Sequence, residues 1–250
     1  PTMLEGTRLG TIDMATTGNP YFTASLPALN LLDLPFLFQS DAHAFAVLDG
    51  EVGQTLMSSM SEAGLQGIAF WELGFRNLTN NVRAVVTPED MAGLKIRTTP
   101  NPAHVLAFET LGAQPTPMPF GEVYSALQTG VIDGAENDFV SYHTSAHYEV
   151  APNYVEDAHL SPPALLLMNK MRFDSLPPEQ QEAITRAAVD AAMYERDLMR
   201  EANEQARQTV TEGGAAVTEI DNAPFQEAVQ PIYEEFPDLM PLLERIRAAK

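Results

Sequence analysis

Apolar positions recur at two periods along this 250-residue chain, and the switches between them mark out alternating strands and helices. The opening residues read as the end of a helix. Residues 10–17 read as a short strand, closed by a Gly18-Asn19-Pro20 turn. Residues 31–38 are apolar but carry Pro35, which predicts an extended segment or tight turn. Asp41 is placed as a helix N-cap, and Phe45, Leu48, Val52, Leu56 and Met60 repeat at helical spacing as far as Gly64. Residues 66–71, 94–97, 131–136 and 165–168 are short apolar runs that predict buried strands. Pro177-Pro178-Glu179 then opens a very long helix, with proline and an acid both suited to a first turn. Ile184, Ala188, Ala191, Leu198, Ala202, Ala206 and Val210 carry an apolar stripe to Gly213. At ~1.5 Å per residue that helix is roughly 50 Å long, more than the width of a small domain. It is therefore expected to back onto two lobes; half of a coiled coil is the competing reading, but the Ala-rich seam lacks heptads. Residues 216–220 return as a strand and 225–236 as a last amphipathic helix.

Strands alternating with helices predict an α/β architecture with largely parallel sheets. The early strands and the region 165–210 can share one lobe, which makes both lobes discontinuous. Residues 1–73 plus 164–213 are expected to form lobe I and 74–163 plus 214–250 lobe II, with the crossing points as a hinge.

Composition narrows the partners. Asp and Glu number 34 against 14 Lys and Arg, a net charge of −20, and the basic residues form no block. Nucleic acid and anionic membrane surfaces need clustered cations and are excluded as partners. No stretch approaches the ~20 apolar residues that span a bilayer, so no membrane insertion is expected. The absence of cysteine excludes disulfides, thiol catalysis and Cys-based metal sites. Pro1-Thr2-Met3-Leu4-Glu5 lacks the basic start and apolar run of a signal peptide, which leaves a mature or truncated form, or a cytoplasmic protein.

The candidate chemistry centres on Arg97, which ends Gly93-Leu94-Lys95-Ile96-Arg97. Asn137 ends Asp133-Gly134-Ala135-Glu136-Asn137. In an open α/β sheet, ligands bind beyond the carboxyl ends of strands, so both side chains are expected in one crevice. A guanidinium fork fits a carboxylate in two-point fashion, which predicts a site for a small organic acid. The overall acidity does not forbid this, because exposed charges are screened over ~8 Å while a partly buried arginine acts at contact. Arg97 as an ordinary surface ion pair is the bland alternative. Trp71 and Glu72 have two readings as well. They are core packing at a strand end, or an indole covering a sugar face beside a carboxylate accepting from hydroxyls. Asn19 fits a turn role better than a ligand contact. His143 and His147 share a helical spacing, but Thr144 stands where a zinc-protease pattern needs Glu, so no metal site is expected. Asp133, Glu136 and Asp138 suggest paired carboxylates for acid–base work, yet a strand sends neighbours to opposite faces. No nucleophile elbow, phosphate loop or dinucleotide fingerprint occurs, so neither an enzyme nor a cofactor is expected.

Seven blocks in order then carry a resemblance. They are Leu9-Gly10-Thr11-Ile12-Asp13-Met14, Leu34-Pro35-Phe36-Leu37-Phe38, Gly74-Phe75-Arg76-Asn77-Leu78-Thr79-Asn80, Met91-Ala92-Gly93-Leu94-Lys95-Ile96-Arg97, Pro115-Thr116-Pro117-Met118, 126–134 (Ala126 to Gly134), and Glu136-Asn137. The chain resembles the extracytoplasmic solute-binding proteins of tripartite ATP-independent periplasmic (TRAP) transporters, the DctP type. The resemblance implies a two-lobed periplasmic-binding-protein-like fold with discontinuous lobes and a long hinge-spanning helix. It implies a periplasmic monomer that hands a small organic acid to the membrane subunits of a TRAP permease. It also implies that Arg97 pairs with the ligand carboxylate, that Arg76 adds a second contact, and that Asn137 and Phe120 line the cleft. A structural pair between Arg76 and a lobe II acid is the competing reading.

Two departures stand out. Relatives normally begin with a strand, a helix and a second strand before the first block, so at ~30 residues per unit roughly 60 residues are expected to be missing. Asp138 stands where many relatives have proline or an amide. Trp71, Glu72, Asn137, Asp138 and 147–151 point to a sugar acid such as a hexuronate. A dicarboxylate ligand, an enzyme acting on a carboxylate, and a sensory binding module are the alternatives.

Overall fold

The computed structural model describes residues 2–249. Helix α1 (Thr2–Leu9) leads into β1 (Met14–Gly18), and α2 (Asp41–Leu48) and α3 (Glu51–Ser59) precede β2 (Leu65–Trp71). Next come β3 (Arg76–Asn80), β4 (Lys95–Thr98), α4 (Pro102–Thr110), β5 (Gln114–Pro117), α5 (Val123–Gln128), β6 (Gly134–Asn137), α6 (Phe139–Thr144) and β7 (Asn153–Leu160). The chain continues with β8 (Ala164–Asn169), α7 (Lys170–Asp174), α8 (Pro178–Glu212), β9 (Ala216–Glu219), α9 (Ala223–Val229) and α10 (Met240–Ala248).

The strands form a three-stranded sheet, order β1-β8-β2, and a six-stranded sheet, order β5-β4-β6-β3-β7-β9. The expected α/β class holds, but the sheets are not largely parallel. β8 runs antiparallel to both neighbours, and β3 runs antiparallel to β6 and β7. Only β4–β5, β4–β6 and β7–β9 are parallel among the described residues. The cause is the route of the chain. β3 and β8 each enter from the other sheet through residues 72–75 and 161–163, without the helical crossover that a parallel neighbour requires.

Local chemistry moved several boundaries. Ser40, not Asp41, caps α2: its hydroxyl accepts from the His43 amide at 3.2 Å. The helical repeat from Phe45 to Met60 is broken at Asp49-Gly50 into α2 and α3. β1 starts at Met14, after a tight turn that ends α1. β5 carries Pro115 and Pro117, and it lies at the sheet edge, where a missing amide costs least. The last amphipathic stretch ends as a helix at Val229, continues as 3-10 turns, and is followed by α10.

The long helix runs for 35 residues with Pro178 in its first turn. Ala188 and Ala192 pack on Ile68 and Ala69 of β2, and Ala206 and Val210 pack with Phe139, Tyr142 and Tyr154 beside the six-stranded sheet. Two-point ion pairs flank these contacts. Arg196 meets Asp49 at 2.7 and 2.8 Å, and Arg207 meets Glu156 at 2.9 and 2.8 Å. The chain beyond 230 packs on the three-stranded side, where Ile232, Leu243 and Ile246 join one core with Leu31, Leu56 and Leu165.

β6 fits between β3 and β4 only because position 134 has no side chain. A Cβ there would lie 2.2 Å from the Thr79 carbonyl oxygen and 2.8 Å from Ile96. Overpacking of this kind costs ~1–3 kcal/mol. Gly134→Ala is therefore expected to lower the melting temperature by several degrees, at ~2–4 °C per kcal/mol for a chain of this size. An unchanged calorimetric melt would show that the β3–β6–β4 spacing is not tight.

Candidate functional site

Strand direction gathers the polar residues at one edge of the six-stranded sheet. β4 and β6 run parallel and end there, and β3 runs antiparallel and begins there. Arg97, Glu136, Asn137 and Arg76 therefore share the edge where α/β sheets take ligands. All four are buried, Glu136 at 0% and Arg97 at 1% exposure.

Glu136 lies between the arginines. Arg76 donates from Nε to Glu136 Oε2, and from Nη2 to Oε1 at 3.1 Å and to the Glu136 carbonyl at 2.7 Å. Arg97 donates from Nε and Nη2 to the Met118 carbonyl at 3.1 and 2.9 Å. Its Nη1 lies 3.8 Å from Glu136, beyond hydrogen-bond reach, and the Tyr21 hydroxyl stands near enough to help hold its charge. One side of the Arg97 fork is thus anchored, and no carboxylate is hydrogen-bonded to its far end, which is the geometry a ligand carboxylate needs.

The electrostatics differ between the two cations. Burial alone would raise the Glu136 carboxyl, but the charge and hydrogen bonds of Arg76, aided by His104 and Arg97, hold it below the usual carboxylate range. Burial works against charge on Arg76, yet Glu136 more than offsets it, and the guanidinium ends above its ordinary value. Arg97 ends below its ordinary value, because burial outweighs the help from Glu136 and the charge of Arg76 opposes it. Its charge is the under-compensated one.

His147 completes this wall. Burial, then the charge of Arg97, pushes its imidazole down to about 4, so the ring is neutral at pH 7. Ala146, directly ahead of it, holds a left-handed φ of 55°, a strained setting for a residue with a Cβ. Phe120, exposed at the rim, packs on the His147 ring at 5.6 Å between centroids.

The remaining expected residues divide. The Asn137 carbonyl accepts from the Tyr154 hydroxyl at 3.0 Å, and that hydroxyl accepts from Asn77 at 3.1 Å. Asn19 is committed to the Leu29 carbonyl and Asp33, both at 2.8 Å. Asn101 also donates to Asp33 at 2.8 Å, and His104 lies 3.2 Å from it. This buried network pins residues 27–33 to the start of α4. Trp71 and Glu72 lie apart from the arginines. Both border a small cavity with Asp41 and Pro162, and Glu72 borders a second of about 280 Å³ with Phe75, Arg200 and Asn203; neither lining includes Arg76, Arg97 or Glu136. The larger cavity of about 590 Å³ between α3, β2 and α8 is likewise distant from the arginine pair.

The three acids of 133–138 go three ways: Asp133 accepts from the Lys95 amide, Glu136 holds the arginines, and Asp138 caps α6 through the Ser141 amide. No group of three His, Asp or Glu among the described residues could hold a metal. Sequence reasoning missed Glu136 as the partner of both cations. Its signal was available, since an acid inside an apolar strand is rarely buried unless paired. The segment 147–151 is expected near the cleft, and His147 is the residue of it that stands beside Arg97.

Residues 1–238 match the profile of Bacterial extracellular solute-binding protein, family 7, or DctP. This chain belongs to the DctP family. A curated relative, the 2,3-diketo-L-gulonate-binding periplasmic protein YiaO of Escherichia coli, is 41% identical over 228 residues, which is 91% of this chain and 70% of that protein. Two solved TRAP periplasmic solute-binding proteins superpose on it. The Chromohalobacter salexigens protein with bound D-glucuronate gives a TM-score of 0.97 at 37% identity, covering 100% of this chain and 85% of that one. The Xanthobacter autotrophicus protein with bound β-D-galacturonate gives 0.95 at 38%, covering 100% and 84%. The DctP fold thus accounts for the paired sheets and the long helix. No helix among the described residues is long and apolar enough to cross a membrane.

Burial, then the charges of Asp41 and Glu195, pushes the Glu72 carboxyl up to about 7 from an ordinary 4.5. A carboxyl whose pKa rises on folding stabilises the fold fully below its unfolded value, and that contribution is lost as pH rises through about 7. Glu72→Gln should therefore raise the melting temperature relative to wild type more at pH 8 than at pH 5. Equal shifts at the two pH values would show that Glu72 carries no such penalty.

Proposed function

We propose that this protein is a periplasmic receptor for a sugar acid of the hexuronate class and passes it, as a monomer, to the membrane subunits of a TRAP permease. The observation that carries the reading is Arg97, a buried guanidinium anchored on one side by the Met118 carbonyl and with no hydrogen-bonded carboxylate on the other. The ligand carboxylate docks on that second side. Asn137, His147 and Phe120 supply the neutral polar and aromatic wall that a hydroxylated ring needs. Arg76 and Asn19 act behind them, holding Glu136 and Asp33. Trp71 and Glu72 belong to the strand crossing at 71–76 rather than to the ligand.

Two lobes close on the acid: one around the three-stranded sheet, joined by the chain beyond 230, the other around the six-stranded sheet. The ligand's stronger contacts in the closed form drive the shift. The glucuronate and galacturonate held by similar structures support the ligand class, as does the diketogulonate named for the similar curated protein. Beside Arg97 itself the groups do not favour an enzymatic reading: Glu136 is held ionised by Arg76, and His147 stays neutral down to about 4.

The test is calorimetric titration of the purified protein with D-glucuronate, D-galacturonate, C4 dicarboxylates, keto acids and neutral sugars, on wild type, Arg97→Ala and Arg97→Lys. One uronate is expected to bind. A charge-assisted hydrogen bond is worth roughly 1.5–3 kcal/mol, so losing two should weaken binding by ~100-fold or more in Arg97→Ala. Lysine should not restore the planar fork. Tightest binding of a neutral sugar, or an acid whose affinity ignores Arg97→Ala, would overturn the proposal.

A further inference from the structure

We infer that Glu136 is the residue that restricts this site to monoanions, and so decides between a uronate and a diacid of the same carbon skeleton. The inference rests on the reading that a carboxylate docks at Arg97. A buried site takes as many anionic groups as it has uncommitted cations, because an unpaired charge out of water is heavily penalised. Two guanidiniums stand at the sheet edge, which would suit two carboxylates. Arg76 is already spent: its Nε and Nη2 both donate to Glu136, and Nη2 also holds the Glu136 carbonyl. Neither partner is exposed enough for solvent to screen the pair.

The other ionisable groups around the arginines add no cation that a second carboxylate could use. Asp138 is buried within reach of Arg76 and already caps α6. Asp33 is buried against His104 at 3.2 Å, so any positive charge on that ring is matched at once. His147 is neutral and Tyr21 is a hydroxyl. Both guanidiniums are anchored through Nε and Nη2, but only Arg76 has its charge matched by a hydrogen-bonded carboxylate, so Arg97 carries the charge left for a ligand. D-Glucarate differs from D-glucuronate in carrying a second carboxylate where the uronate has its anomeric carbon. That carboxylate would meet the neutral wall of Asn137, His147 and Phe120 with no unmatched cation to pair with. Selectivity then comes from rejecting the wrong ligand as much as from holding the right one.

Titration calorimetry with D-glucuronate and D-glucarate decides it, on wild type, Glu136→Gln and the double variant Arg76→Gln with Glu136→Gln. Wild type should favour the uronate by at least ~10-fold. Glu136→Gln releases the Arg76 charge and should shrink that ratio by about 10-fold or reverse it. The double variant removes both charges, leaves the balance as in wild type, and should keep a uronate preference at whatever affinity remains. It also guards against failure of the single variant to fold. Equal wild-type affinity for both acids, or a double variant that prefers glucarate, overturns the inference while leaving the sugar-acid reading intact. A wild-type protein that binds glucarate and C4 diacids in preference to every monoanionic acid sinks both.

Discussion

The structure is organised around the cost of keeping two guanidiniums and one carboxylate out of water at a single sheet edge. Such a cluster is tolerable only with close geometry and with most of its polar atoms engaged. Much of the six-stranded sheet serves that condition. β3 must run against β6 for Arg76 to meet Glu136, and β4 must run with β6 for Arg97 to arrive from the other side. The Met118 carbonyl, held between two prolines, takes the inner edge of Arg97. Behind the cluster, Tyr154 ties Asn77 to Asn137 across the β3–β6 pair.

This arrangement explains how an anion site survives in a chain of net charge −20. The surface acids act through water and salt, whereas Arg97 acts at contact in a poorly screened place. Within the cluster the two arginines are unequal. Arg76 has a matched partner, and Arg97 has one that is shared and farther away. Burial without full compensation leaves Arg97 with charge that an incoming carboxylate could match, which is the basis of the role proposed for it.

What could be read from the chain followed from how its residues are buried. The runs at 66–71 and 165–168 showed themselves because consecutive apolar residues fill a covered sheet, and the stripe of α8 did so through its period. β3 stayed hidden because Arg76-Asn77-Leu78-Thr79-Asn80 is polar yet wholly buried, its polar groups met by Glu136, Tyr154, Asp157 and Ala135. No periodicity reports such a strand. β5 was masked by its prolines, and the break between α2 and α3 by an apolar repeat that ran straight through it. Arg97 was legible as a strand-end cation in a matching block. Of the two readings of Arg76, the pair with an acid is the one present; which acid it meets is set by the β3–β6 register, which sequence spacing does not report. Trp71 and Glu72 are close to Arg76 in sequence, but Trp71 ends β2 and Glu72 opens the crossing at 72–75, which turns the chain from one sheet to the other.

The long helix α8 touches both sheets through one continuous run of hydrogen bonds, from Ala188 against β2 to Val210 beside β7. A beam fixed at two points along its length does not let its supports drift independently. Relative movement of the sheets has to appear as sliding or rolling of small alanine contacts along the beam, and as bending in the two short strand crossings. Alanine seams suit this, since they offer little side-chain interlock to ratchet over. A helix packed on both sheets thereby couples their positions, because neither sheet can shift without changing its contacts with α8.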